Sequence, residues 1–102
     1  MIVVTAKLLV QPGKEDAMRA LVTSLTKPAR SEDGNLSYNW YQDALEPSTW
    51  FAFEEWRDQA ALDAHFQTPD FARAGAELPT LLAAAPAVRV YQVSDARDLA
   101  LG

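Results

Sequence analysis

Residues 36–57 read LSYNWYQDALEPSTWFAFEEWR, two aromatic-rich runs joined by an acidic, proline-containing connection. Successive side chains of an extended chain point to opposite faces. In the first run one face carries Leu36, Tyr38, Trp40 and Gln42, and the other carries Ser37, Asn39 and Tyr41. In the second the faces are Trp50, Ala52, Glu54 and Trp56 against Phe51, Phe53, Glu55 and Arg57. Aromatic residues favour strands, and Glu46-Pro47-Ser48 makes the connection short. The stretch therefore reads as an antiparallel hairpin with large side chains on both faces.

Upstream, residues 2–10 form a first strand, with Thr5 and Lys7 on one face and Val4, Ala6 and Leu8 on the other. Pro12-Gly13 supplies a turn, and Glu15 and Asp16 open a helix where its dipole favours negative charge. Ala17, Leu21 and Leu25, with Met18 and Val22 beside them, give that helix one apolar stripe. Pro28 has no N–H to donate, so the helix is expected to end or kink there, before a loop at Ser31-Glu32-Asp33-Gly34.

Downstream, residues 58–66 read as a short helix with Leu62, His65 and Phe66 on one side. Thr68-Pro69-Asp70 offers a capping residue, a proline at the first helical position and an early acid, which starts another helix. Phe71, Ala74, Gly75 and Leu78 face one way along it. Pro79 is expected to interrupt it, and Pro86 to release a last strand over residues 87–93. The order β-α-β-β-α-β, its second helix broken in two, predicts an α+β fold of ferredoxin-like topology with a four-stranded antiparallel sheet. Residues 1–93 make the domain, and residues 94–102 a tail long enough to reach a neighbouring subunit. Helices cover only one face of such a sheet, so a hairpin apolar on both faces calls for a second cover. A second copy of the chain, packed about a two-fold axis, is the economical one.

With 102 residues, 49% of them apolar and 23% charged, the chain matches one globular domain. The apolar start contains Lys7 and stops at Pro12-Gly13, too short for a membrane span and without the basic start of a signal peptide. The chain has no cysteine, which excludes disulfides and thiolate chemistry and fits a reducing compartment, so a cytoplasmic location is expected. A net charge of −5 with nine scattered basic residues opposes nucleic-acid binding.

Every aromatic residue lies between Tyr38 and Tyr91. The plain reading is core and interface packing; the functional one is an aromatic-lined pocket for a flat organic molecule. Glu54 shares a strand face with Trp56, and across the hairpin Tyr38 or Trp40 should lie near both. If that face turns to the helices, burial would raise the Glu54 carboxyl towards a range useful for proton transfer; otherwise it is a structural, hydrogen-bonded acid. His65 is the single histidine and sits on an apolar helix side, where a histidine is often simply packed. Histidine is also the residue type that titrates nearest neutrality, which makes His65 the first catalytic candidate, with Glu54 second. One histidine, no cysteine and no metal-ligand spacing among the acids oppose a transition-metal site. Neither a nucleophile elbow nor a phosphate-cradling glycine loop is present.

Pro12-Gly13-Lys14-Glu15 after the first strand, Gly34-Asn35-Leu36-Ser37-Tyr38 through Tyr41-Gln42-Asp43, Phe53-Glu54-Glu55-Trp56, Leu62-Asp63-Ala64-His65 and Thr68-Pro69-Asp70-Phe71 together resemble the antibiotic-biosynthesis monooxygenase family. The resemblance covers about residues 1–93. It implies a dimeric α+β barrel with a pocket in each subunit between sheet and helices. The family's monooxygenases need no flavin, metal or haem: the protein deprotonates an electron-rich phenol or hydroquinone, whose anion reduces molecular oxygen directly. His65 falls where the family motif usually has histidine. Haem-degrading members resemble an Asn, Trp and His set whose Trp would fall at His65 and whose His near Gly75, and this chain has neither. Polyketide oxygenases also place Trp at the His65 position. The expectation is a quinol-type monooxygenase without cofactor, with His65 and Glu54 catalytic and Tyr38, Trp40, Trp56, Phe66 and Phe71 around a small aromatic substrate. The alternatives are an isomerase that enolises its substrate in the same pocket, favoured if Lys7 or Arg89 points inward with His65, and a non-catalytic dimeric binder of an aromatic metabolite, favoured if His65 and Glu54 are both fully hydrogen-bonded to the protein.

Overall fold

Alternation of apolar and polar residues drives the first strand into the centre of a sheet. A computed structural model describes residues 1–101 as β1 (Ile2–Leu9), α1 (Glu15–Arg30), β2 (Asn35–Gln42), β3 (Thr49–Trp56), α2 (Gln59–Phe66), α3 (Pro69–Leu81) and β4 (Ala87–Gln92). The strands form one sheet in the order β2-β3-β1-β4, every pair antiparallel, which is the ferredoxin-like arrangement. No helix among the described residues is long and apolar enough to cross a membrane.

Even-numbered residues of β1 and β3 face the helices: Ile2, Val4 and Leu8 are buried, as are Trp50, Ala52, Glu54 and Trp56. Two apolar clusters result. One gathers Leu8, Met18, Leu21, Leu25 and Trp50 beneath α1 and α3; the other gathers Ile2, Val4, Ala29, Tyr38, Trp56 and Leu62 beneath α2. Trp40 packs against both.

Three details differ from the sequence expectation. Helix α1 runs past Pro28 to Arg30, because a proline in the last turn removes only one donor while Ala29 remains buried in the second cluster. Helix α3 likewise continues through Pro79 to Leu81, which the core holds. Leu36, expected beside Tyr38 on the covered face, is exposed, since the β2–β3 register shifts between Asn35 and Ser37.

The helix starts follow their capping chemistry. Asp58 accepts the Ala61 N–H at the head of α2, and Thr68 accepts the Phe71 N–H at the head of α3, with Pro69 at its first position. Gly34 has φ +80°, and a Cβ there would lie 2.5 Å from the Ala61 Cβ, so only glycine lets the α1–β2 loop close over α2. On the sheet face away from the helices Tyr41, Phe51 and Tyr91 are exposed. Residues 93–101 run without regular structure, largely exposed.

Candidate active site

The strand register builds the floor of a cavity of about 350 Å³ between the sheet and α3. Tyr38 pairs with Glu54, Glu54 with Val4, and Val4 with Val90, one row across all four strands. The next row is Trp40, Ala52, Ala6 and Val88. Two alanines at its centre keep that row low between a tryptophan and a valine, which leaves room above it. The roof comes from the helices: His65 and Phe66 of α2, and Phe71, Ala74, Gly75 and Leu78 of α3. The single charged side chain of the two rows, Glu54, stands at one end of an otherwise apolar enclosure.

His65 is 7% exposed and lies against Trp56, ring centroids 4.6 Å apart, with Phe71 at 5.4 Å and Tyr38 at 6.1 Å. Its Nδ1 meets both carboxylate oxygens of Glu32, at 2.9 and 3.0 Å. A carboxylate accepts, so Nδ1 carries the proton and donates it to Glu32. Nε2, which carries the lone pair in the neutral imidazole, makes no hydrogen bond among the described residues and is not sealed from solvent. This is the arrangement of a base held by an orienting acid.

Glu54, 9% exposed, accepts the Trp56 Nε1–H at 3.0 Å through one oxygen and leaves the other without a partner among the described residues. Burial pushes its carboxyl above the ordinary range, against the opposing pull of the Trp56 hydrogen bond and of His65. Burial likewise pushes the Tyr38 phenol up to about 12, against a smaller lowering by Trp40, while Glu54, Glu32 and Asp70 add to the rise. Tyr38 therefore serves as a hydrogen-bond donor, never as a base near neutrality. The Trp40 Nε1–H is buried and falls outside hydrogen-bonding geometry with any group among the described residues.

Of the residues expected at the site, Tyr38, Trp40, Glu54, His65, Phe66 and Phe71 all line this one cavity. Trp56 does not: at 0% exposure it lies behind the wall, holding Glu54 from one side and His65 from another. Glu55 points to the other face, where it accepts from the Ser37 hydroxyl at 2.7 Å. Lys7 and Arg89 are exposed and also face away: Lys7 pairs with Phe51 and Ala87, and Arg89 lies over the Tyr91 ring. Among the described residues no cluster of three or more His, Cys, Asp or Glu is placed to hold a metal ion. The residue that sequence reading passed over is Glu32, an acid in what looked like an ordinary turn. Its one visible signal was its place two residues before Gly34, the glycine that folds this loop onto α2.

A family model described as antibiotic biosynthesis monooxygenase matches residues 1–77. An uncharacterized protein of Synechocystis, sll1783, is 39% identical over 98 residues, spanning 96% of this chain and 67% of its own length. Rv0793 of Mycobacterium tuberculosis, named as a candidate monooxygenase, is 34% identical over 92% of each chain. Its solved structure superposes with a TM-score of 0.89, covering 95% of this chain and 98% of its own. A second solved structure, described as an antibiotic biosynthesis monooxygenase, gives a TM-score of 0.86 at 27% identity, covering 93% of this chain and all of its own.

Proposed function

The chain belongs to the antibiotic biosynthesis monooxygenase family, and from that premise we propose that it is a cofactor-independent monooxygenase that oxidises a quinol or other phenolic aromatic with molecular oxygen. The observation that carries the reading is His65, its Nδ1–H held by Glu32 and its Nε2 free, on the wall of an apolar cavity.

His65 Nε2 takes the proton of the substrate hydroxyl, and Glu32 stabilises the imidazolium that forms. The resulting phenolate, in a cavity lined largely by apolar side chains, is electron-rich enough to pass one electron to oxygen. Radical recombination forms a C–O bond at the ring carbon para or ortho to the hydroxyl, and loss of water from the hydroperoxide leaves the quinone. One oxygen atom enters the ring and the other leaves as water. The phenol supplies all four electrons, so the balance requires no external reductant. The Tyr38 hydroxyl and the Glu54 carboxyl, which burial holds towards its protonated form, donate hydrogen bonds to the reduced oxygen as charge builds on it.

Enolisation would be favoured by Lys7 or Arg89 pointing inward beside His65, and both stand on the opposite sheet face. A purely structural His65 and Glu54 would have both ends satisfied, whereas each keeps one free atom. The same proposal includes a homodimer packed through the exposed face around Phe51, Tyr41 and Tyr91. The cysteine-free composition supports a cytoplasmic location.

Oxygen uptake, followed by electrode with metal-free protein and a panel of hydroquinones and naphthols, tests the activity. Saturable uptake that falls at least about hundredfold in His65→Ala is expected. Uptake equal in wild type and variant would remove His65 from the chemistry, and none across the panel would remove the oxygenase.

A further inference from the structure

Gly75 lies inside α3, where glycine weakens a helix relative to alanine. Backbone conformation does not call for it, since the only residues with positive φ among those described are Gly13 and Gly34. Packing does not call for it either: a Cβ built on Gly75 meets nothing within 4 Å, in contrast to Gly34. What the missing side chain supplies is space. Two compartments border that space. On one side lies the cavity with His65 and Glu54; on the other an apolar groove of about 420 Å³ runs beneath residues 82–86. Gly75, Leu78 and Pro86 line both. The inner cavity alone stands at the small end of ligand pockets, which hold roughly 300–1,000 Å³.

We infer that Gly75 is a specificity-determining residue that sets substrate length: the phenol lies with its hydroxyl at His65 and carries an apolar extension, a fused ring or hydrocarbon substituent, past Gly75 into the outer groove. This rests on the phenolic reading of the site and adds the shape of the molecule to it. The polar side chains that line the cavity, His65, Glu54, Tyr38 and the indole N–H of Trp40, are absent from the groove, which is bounded by Leu, Ala and Pro side chains. The ligand is accordingly polar at one end only.

The test is anaerobic calorimetry with a series of 4-alkylphenols, from methyl to hexyl, against wild type, Gly75→Ala and Gly75→Leu. The blocked para position and absence of oxygen separate binding from turnover. Affinity for wild type should rise by up to about fourfold per added methylene as apolar surface is buried. In Gly75→Leu the rise should stop after the first one or two carbons, with the affinity for 4-methylphenol changed less than about twofold. Gly75→Ala should melt at or above the wild-type temperature, showing that the helix accepts a side chain there, and thermal melts of Gly75→Leu check that it too is folded. Parallel slopes in wild type and a folded Gly75→Leu overturn the inference, as they would if the chain's own tail or a second copy filled the groove. If the slopes differ but no phenol consumes oxygen, the length rule stands and the oxygenase falls. If oxygen is consumed and the slopes are parallel, the reverse holds; no binding by wild type removes both.

Discussion

Glu32 and His65 flank the β2–β3 hairpin at its open end, 33 residues apart in sequence, and both oxygens of the carboxylate reach the imidazole Nδ1 at 2.9 and 3.0 Å. The contact places the proton on Nδ1, and His65 lines the cavity. Replacing Glu32 by Gln keeps the size and one acceptor but removes the charge that stabilises an imidazolium. Turnover should fall roughly ten- to hundredfold with little change in KM, because the interaction gains strength only as the proton moves. Steady-state oxygen uptake measures the split; a rise in KM with unchanged kcat would assign Glu32 to binding instead.

Glu54 is an acid whose folded-state pKa lies above its unfolded value of about 4.5. The folded protein therefore holds the proton more firmly than the unfolded chain, and stability falls as pH rises from that unfolded value up to the folded one. Glu54→Gln stays neutral at all pH. Urea midpoints measured between pH 4 and 8 should show the decline in wild type and a flatter profile in the variant, with the variant more stable at pH 7. Oxygen uptake should meanwhile persist in Glu54→Gln, whose amide still donates, and drop by about tenfold or more in Glu54→Ala, which removes the donor to the reduced oxygen.

Tyr38 gives the alkaline counterpart. With the phenol raised from 10 to about 12 in the folded state, stability declines from pH 10 to 12 as the unfolded chain ionises first. Between pH 9 and 11 wild type should lose about 1 kcal/mol more than Tyr38→Phe. Denaturant unfolding at the two pH values checks this, and equal losses would show that the phenol is not buried in solution.

Phe51 stands 39% exposed on the face that no helix covers. If two copies meet there, sedimentation should give twice the 11.2 kDa chain mass, and Phe51→Glu, which places a charge opposite its own copy, should shift the protein to monomer at micromolar concentration. A monomeric wild type would leave the exposed aromatics to another partner.

Element order, the hairpin and the faces of β3 were legible in residues 36–57 because side-chain alternation in a strand is local. So were the capped starts of α2 and α3, written in Asp58 and in Thr68-Pro69. The prolines misled for a related reason: Pro28 and Pro79 state a local cost, and what outweighs it, the burial of Ala29 and Leu81, is tertiary. Within the site, Tyr38, Trp40, Glu54 and His65 announced themselves by residue type on a predicted face. Trp56 shared that face and still fell behind the wall, since period-two alternation assigns a side but not a depth.

By itself, then, the sequence determined the ferredoxin-like topology, the helix-facing row that contains Glu54 and the presence of one histidine on an apolar helix side, all consequences of periodicity and residue chemistry over short spans. Only the tertiary structure decided that Glu32 is the partner of His65, that Ala6 and Ala52 hollow the floor and that Gly75 lines two cavities at once. Those facts depend on which strands become neighbours and in what register, and a pairing between residues 33 apart leaves no local trace in either segment.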